Sequence, residues 1–286
     1  MVGVTVQSDF YEPWQNFHHA IVRQLAFVIA SPNIIRFAPK ELTIVHPFEM
    51  HHELFWQTQY EKYISRLHDL DQNPQELIDF IQQLKSTRLG LRFEYLMWFW
   101  LQDDQRDQAD FSLLDHSVQI IDGRHTLGEI DFVILNHHTQ EIEQWEVALK
   151  FYLAEQDFQL QHWYGLNRSD TLFRKLNHFT QKQFQFTQAN TYEIDRKIAV
   201  MKGQLYFPYH TELQTLPNWV SPHRRMGTWG HQFRSSFYRL ERQEWICPNA
   251  SQTSNEAHWW SNGLYHNVQT NQFYMYRQPA LKLPYV

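Results

Sequence analysis

The sequence predicts a mixed α/β fold, a sheet with an antiparallel three-strand meander flanked by helices, with a helical N-terminal region and an irregular C-terminal annex. Three observations predict it. Apolar residues recur at helical spacing through the first third of the chain, alternate with polar ones at strand period from 117 to 151, and return to helical spacing ahead of a further strand near 200. A content of 43% apolar residues in 286 is enough for a packed core, which excludes a disordered chain.

The elements follow in order. Residues 14–30 place Phe17, Ile21, Leu25 and Val28 on one helical face, and Ser31-Pro32-Asn33 stops that helix. His46-Pro47 reads as a loop, and a second helix covers 52–68. Asn73-Pro74 opens a third, with Leu77, Phe80 or Ile81, and Leu84 as its apolar face. A fourth, from about Thr87 to Leu101, is apolar on more than one face and so reads as buried. Residues 117–121 read as a strand that ends at the turn signal Asp122-Gly123. Residues 127–135 and 142–151 alternate strongly and are joined by the polar loop Asn136 to Glu141. A helix over 168–187 carries Leu172, Leu176, Phe179 and Phe184, and Ile198 to Phe207 is a strand closed by Pro208. These elements divide the chain into a helical N-terminal region (1–86), a core (87–208) and a C-terminal annex (209–286) belonging to the same domain. No internal repeat appears, and the annex is rich in Pro, Asn, His and Trp with weak periodicity.

Composition limits the function classes. The net charge of −6 excludes a globally basic nucleic-acid coat but leaves room for a local basic groove. The single cysteine, Cys247, excludes an intramolecular disulfide framework and a multi-cysteine zinc site, and points to the cytoplasm. Met1 to Gln15 lacks the pattern of a signal peptide, and the most apolar stretch, Tyr95 to Leu101, is too short to span a bilayer, so no membrane association is expected. The paired histidines (18/19, 51/52 and 137/138) point in different directions and are read as structural or surface residues. No Gly-rich phosphate loop and no nucleophile elbow is present.

The chemistry concentrates on the second and third strands. Alternation puts Glu129 and Asp131 on one face, and Glu146, Ala148 and Lys150 on one face of the next strand. The reverse faces carry Ile130, Phe132 and Ile134, then Trp145, Val147 and Leu149. A loop centred near Thr139 and Gln140 sets Asp131 opposite Ala148, diagonal to both Glu146 and Lys150 at about 7–8 Å. A slip by one residue would turn Asp131 to the other face. Carboxylates converging beside a lysine suit Mg²⁺ or Mn²⁺ and the hydrolysis of a phosphodiester. The same residues equally suit a cross-strand ion pair on a solvated face.

Several motifs carry a resemblance: Leu89-Gly90-Leu91-Arg92-Phe93-Glu94, Gly128-Glu129-Ile130-Asp131-Phe132, Trp145-Glu146-Val147-Ala148-Leu149-Lys150, Gly165-Leu166-Asn167-Arg168-Ser169-Asp170 and Met201-Lys202-Gly203-Gln204. Together they resemble the bacterial family catalogued as domain of unknown function 1853, whose fold is similar to the PD-(D/E)XK nuclease superfamily. The resemblance implies a restriction-endonuclease-like core and a metal-dependent nuclease acting on DNA or RNA. It implies Asp131 as a metal-binding aspartate, Lys150 as the site lysine and Glu94 as the glutamate of the preceding helix. The superfamily's acid two residues before the lysine is here Ala148, and Glu146 is the candidate substitute. The expected site is thus Asp131, Glu146, Lys150 and Glu94, with Asp131, Glu146 and Glu94 holding the metal.

Glu94 lies in an apolar helix, where a carboxylate needs a partner or a metal; Arg92 or Arg88 would serve as a purely structural partner. Gly90 in that helix is explained by close approach to the sheet. Arg168, Arg174, Lys175 and Lys182 are the candidate nucleic-acid contacts, and Ser169 or Asp170 the candidate cap of the helix that carries them. The alternative function is an inactive nuclease-fold protein that binds nucleic acid or protein.

Overall fold

The computed structural model describes residues 10–103, 109–155, 157–211, 215–249 and 254–279. Of the Met1 to Gln15 stretch, residues 1–9 lie outside the described residues. The helical N-terminal region is α1 (Ala20–Ala30), α2 (Glu53–Gln72) and α3 (Gln75–Gln82), followed by α4 (Leu89–Asp103). The meander is β1 (Phe111–Asp122), β2 (His125–Asn136) and β3 (Glu141–Ala154). A two-residue strand, β4 (Trp163–Tyr164), leads to α5 (Leu172–Gln181), a small β5–β6 ribbon (Gln188–Ala189 and Tyr192–Glu193) and β7 (Arg196–Pro208).

The C-terminal region is not an irregular annex. It contributes β8 (Gly227–Gly230), β9 (Tyr238–Arg239), β10 (Gly263–Asn267) and β11 (Gln272–Tyr276) to the main sheet. That nine-stranded mixed sheet runs β1-β2-β3-β7-β8-β11-β10-β9, with β4 beside β3; β3–β7, β7–β8 and β8–β11 are parallel. Trp229 anchors β8 by donating from its indole Nε1 to the Ala154 carbonyl at 2.7 Å.

Helices cover both faces. On one, α1, α2 and α4 bury Trp56, Phe93 and Trp100 against Phe132, Trp145, Val147, Ile198 and Val200. On the other, Leu172, Leu176 and Phe179 of α5 pack on Ala148, Tyr152, Ala199 and Met201. Odd and even positions of β3 therefore separate as the alternation predicts. Ile130 is an exception. It packs with Val118, Val133 and Phe186 instead of with Phe132 and Ile134. The β1–β2 ladder is irregular here, with no paired partner at Ser117 and Asp131, and Ser117 takes φ +50°. A separate bulge, which shifts the register between Leu113 and Asp115, breaks the alternation at the start of β1, which begins six residues earlier than its sequence pattern. Among the described residues, no helix is long and apolar enough to cross a membrane.

Candidate active site

The site lies where β2 and β3 part. Their ladder runs from Asn136↔Glu141 to Phe132↔Trp145. Register therefore places Asp131 level with Glu146, not with Ala148. The turn is tighter and earlier than expected: His137 to Gln140 form it, and the Asn136 side chain accepts from the His138 amide at 3.0 Å. Beyond Phe132, β2 continues along β1 while β3 continues along β7. The backbone N–H of Val147, freed by this divergence, donates to Asp131 Oδ2 at 2.8 Å. A side chain thus replaces a ladder bond at the fork and fixes the aspartate.

A cleft of about 540 Å³ opens over the fork. Glu94 reaches it from α4, Asp131 from β2, Lys150 from β3 and Lys175 from α5. Gly90 also lines it and has nothing within 4 Å of where a Cβ would sit, so close approach to the sheet does not explain this glycine. Arg92, a candidate partner for Glu94, instead donates to Gln24 at 2.8 Å.

The carboxylates repel one another in a dehydrated setting. Burial, with Asp131 and Glu129 nearby, lifts the Glu94 pKa to about 7, against a hydrogen bond from Ser117. Burial lifts Asp131 to about 6, although the Val147 N–H favours its charged form. On the other side, burial lowers Lys175 to about 8 despite Asp131 and Glu146.

Glu146 does not join them in the cleft. It is fully buried beneath α5. Its Oε1 accepts from Gln144 at 2.7 Å and its Oε2 from Gln183. Gln183 in turn accepts from Lys175 at 2.9 Å. Burial first, and Asp131 second, push the Glu146 pKa well up, so its environment favours the neutral acid. This arrangement could not be read from strand spacing, because Gln183 arrives from a turn 37 residues away.

Asp170 is the site residue that sequence reasoning assigned elsewhere. Thr171, not Ser169 or Asp170, caps α5, accepting from the Arg174 amide at 3.1 Å. Asp170 faces the cleft, its Oδ2 2.8 Å from Lys150 Nζ and its Oδ1 3.1 Å from the Tyr152 hydroxyl. It therefore tethers the site lysine. Of the four expected nucleic-acid contacts, only Lys175 enters the cleft. Arg168 is paired with Glu155 at 2.6 Å and lies over Tyr164, Arg174 donates to the Ser169 carbonyl, and Lys182 is exposed.

Among the described residues, no group of three or more His, Cys, Asp or Glu side chains is arranged to hold a metal ion by itself. Of the three acids in the cleft, Asp170 is paired with Lys150, and the other two, Asp131 and Glu94, are hard oxygen donors that repel each other. That set suits an Mg²⁺ ion that keeps most of its water and takes further ligands from a phosphate, not a closed all-protein cage.

No curated protein and no solved structure matches the chain. A family model described as a domain of unknown function (DUF1853) matches residues 23–282, nearly the whole chain, so the chain belongs to the DUF1853 family.

Proposed function

We propose that this cleft is a divalent-metal-dependent phosphodiesterase site acting on DNA or RNA, on a restriction-endonuclease-like core. One observation carries the reading: the strand fork brings Asp131, pinned by the Val147 N–H, into one cleft with Glu94, Lys150 and Lys175. Asp131 and Glu94 are the residues that would hold Mg²⁺ or Mn²⁺. When bound, the ion would lower the pKa of a water and offset charge on the phosphate. Lys150, oriented by Asp170, is placed to direct the attacking water or stabilise negative charge in the transition state. Lys175 adds a second positive charge from α5, which covers the face of the sheet that carries Lys150.

The test is cleavage of DNA and RNA by the purified protein with Mg²⁺ or Mn²⁺. Asp131→Ala and Lys150→Ala should each abolish it. Cleavage that survives both substitutions overturns the assignment.

A second reading rests on Ala148 and the sealed position of Glu146, which leave the cleft one acid short of the pattern that the resemblance implies. In that reading the cleft binds nucleic acid or a protein partner without cutting. Calorimetry with Mn²⁺ separates the two. A catalytic site gives a binding signal that Asp131→Asn removes, and a non-catalytic one gives none.

A further inference from the structure

We propose that Arg242 and Arg88, which both line the cleft, form a phosphate clamp that grips the nucleic-acid backbone on either side of the scissile phosphate. The proposal rests on the phosphodiesterase reading and adds to it the means of holding substrate.

Arg242 comes from the C-terminal region, which the sequence left without a role. It opens a short 3₁₀ turn, Arg242–Trp245, that is held by a reciprocal capping box. The Glu241 side chain accepts from the Glu244 amide, and Glu244 Oε2 accepts from the Glu241 amide at 2.8 Å. Trp245 meets Phe151 of β3 edge-on, with ring centroids 5.4 Å apart. The Arg242 guanidinium lies 4.5 Å over the Trp245 ring. The indole is therefore a pedestal: it fixes the plane of the guanidinium and leaves its N–H donors free. Among the described residues Arg242 has no carboxylate partner, and neither has Arg88, whose exposed side chain stands just ahead of α4 and also lines the cleft.

Arg66, Arg168, Arg196, Arg224, Arg225 and Arg277 all pair with carboxylates. Arg242 and Arg88, by contrast, are two guanidinium groups without a carboxylate at one opening. The charge around them points the same way. The chain carries −6, yet the cleft is lined by Arg88, Lys150, Lys175 and Arg242 against Glu94, Asp131 and Asp170. A planar guanidinium matches two phosphate oxygens, and stacking on an aromatic ring preorganises it.

The experiment measures binding apart from cleavage. Anisotropy of a short labelled oligonucleotide, as single strand and as duplex, is followed in EDTA from about 50 to 200 mM salt. Arg242→Gln and Arg88→Gln should each reduce the slope of log K against log salt by about 0.7 on a single strand or 0.9 on a duplex, independently of sequence. The arm with the tighter binding and the larger drop identifies the form of the backbone. Arg242→Lys keeps the charge and should keep the slope while weakening binding, which guards against a folding defect in the glutamine variant. An unchanged slope in Arg242→Gln and Arg88→Gln at wild-type thermal stability, or no binding by the wild-type protein, overturns the clamp. The two readings fail separately: Mg²⁺-dependent cleavage with unchanged slopes removes the clamp alone, whereas reduced slopes without cleavage remove the nuclease alone.

Discussion

Replacing Glu94 by glutamine should make the metal-free protein more stable, and only above mildly acidic pH. In the folded chain burial and the nearby charges of Asp131 and Glu129 raise the Glu94 pKa from 4.5 to about 7. Between those values the unfolded chain has released a proton that the folded chain still holds. Stability from this group is therefore complete below about pH 4.5, falls as pH rises, and levels off above about pH 7. One pKa unit corresponds to about 1.4 kcal/mol, so the loss approaches about 3 kcal/mol. In a chain of this size that is roughly 6 °C in Tm. Glutamine keeps the shape and cannot ionise. Calorimetric scans in EDTA should show Tm curves that coincide near pH 4.5 and separate by up to roughly 6 °C near pH 8, with the variant higher. Adding Mg²⁺ at pH 8 should raise the wild-type Tm and narrow the gap, because a cation offsets the repulsion. A Tm difference that stays constant from acid to alkaline pH would refute both the buried position of Glu94 and its electrostatic contact with Asp131.

Other outcomes follow from the same geometry. A Cβ on Gly203, which has φ +126°, would lie 1.9 Å from the Lys150 carbonyl oxygen; Gly203→Ala should lower stability by more than about 3 kcal/mol in a denaturant titration. Gly90→Ala meets nothing within 4 Å and should stabilise α4 by about 1 kcal/mol in the same titration. Asp170→Asn removes the anion that tethers Lys150; in the proposed reaction, kcat of cleavage should fall about tenfold with little change in KM. Cys247 is buried and its pKa is pushed up to about 12, chiefly by burial, so an aromatic disulfide reagent should label it only after unfolding.

The legible parts of this molecule are those fixed by local repetition. The helices and the meander announce themselves because buried apolar residues repeat along each of them, and the two faces of β3 fall where alternation puts them. Asp131 and Lys150 were visible because residue type and strand spacing mark them, Glu94 because the family resemblance points to it, and all three line the cleft. What escaped depends on distant partners. Strands β8 to β11 are two to five residues long and acquire identity only by pairing with β7 and each other. Glu146 looked equivalent to Asp131, but whether it faces solvent is decided by Gln183. Asp170 resembles a helix cap until Lys150 and Tyr152 claim its oxygens. Arg242 has no local signal at all, since its significance is the wall on which Trp245 supports it.

One edge of β7 has a consequence for biosynthesis. Its first half is sealed by the N-terminal region: the Ile34 amide donates to the Met201 carbonyl, and Glu49 bridges Ile198. Its last residues, Tyr206 to Pro208, wait for β8. A nascent chain that has just released Pro208 from the ribosome therefore exposes a half-open template, closed only after some twenty more residues emerge. In that interval the growing polypeptide is open to edge-on association with its neighbours. Pauses in translation between these two strands should then lower the yield of native protein even though the finished sequence is unchanged.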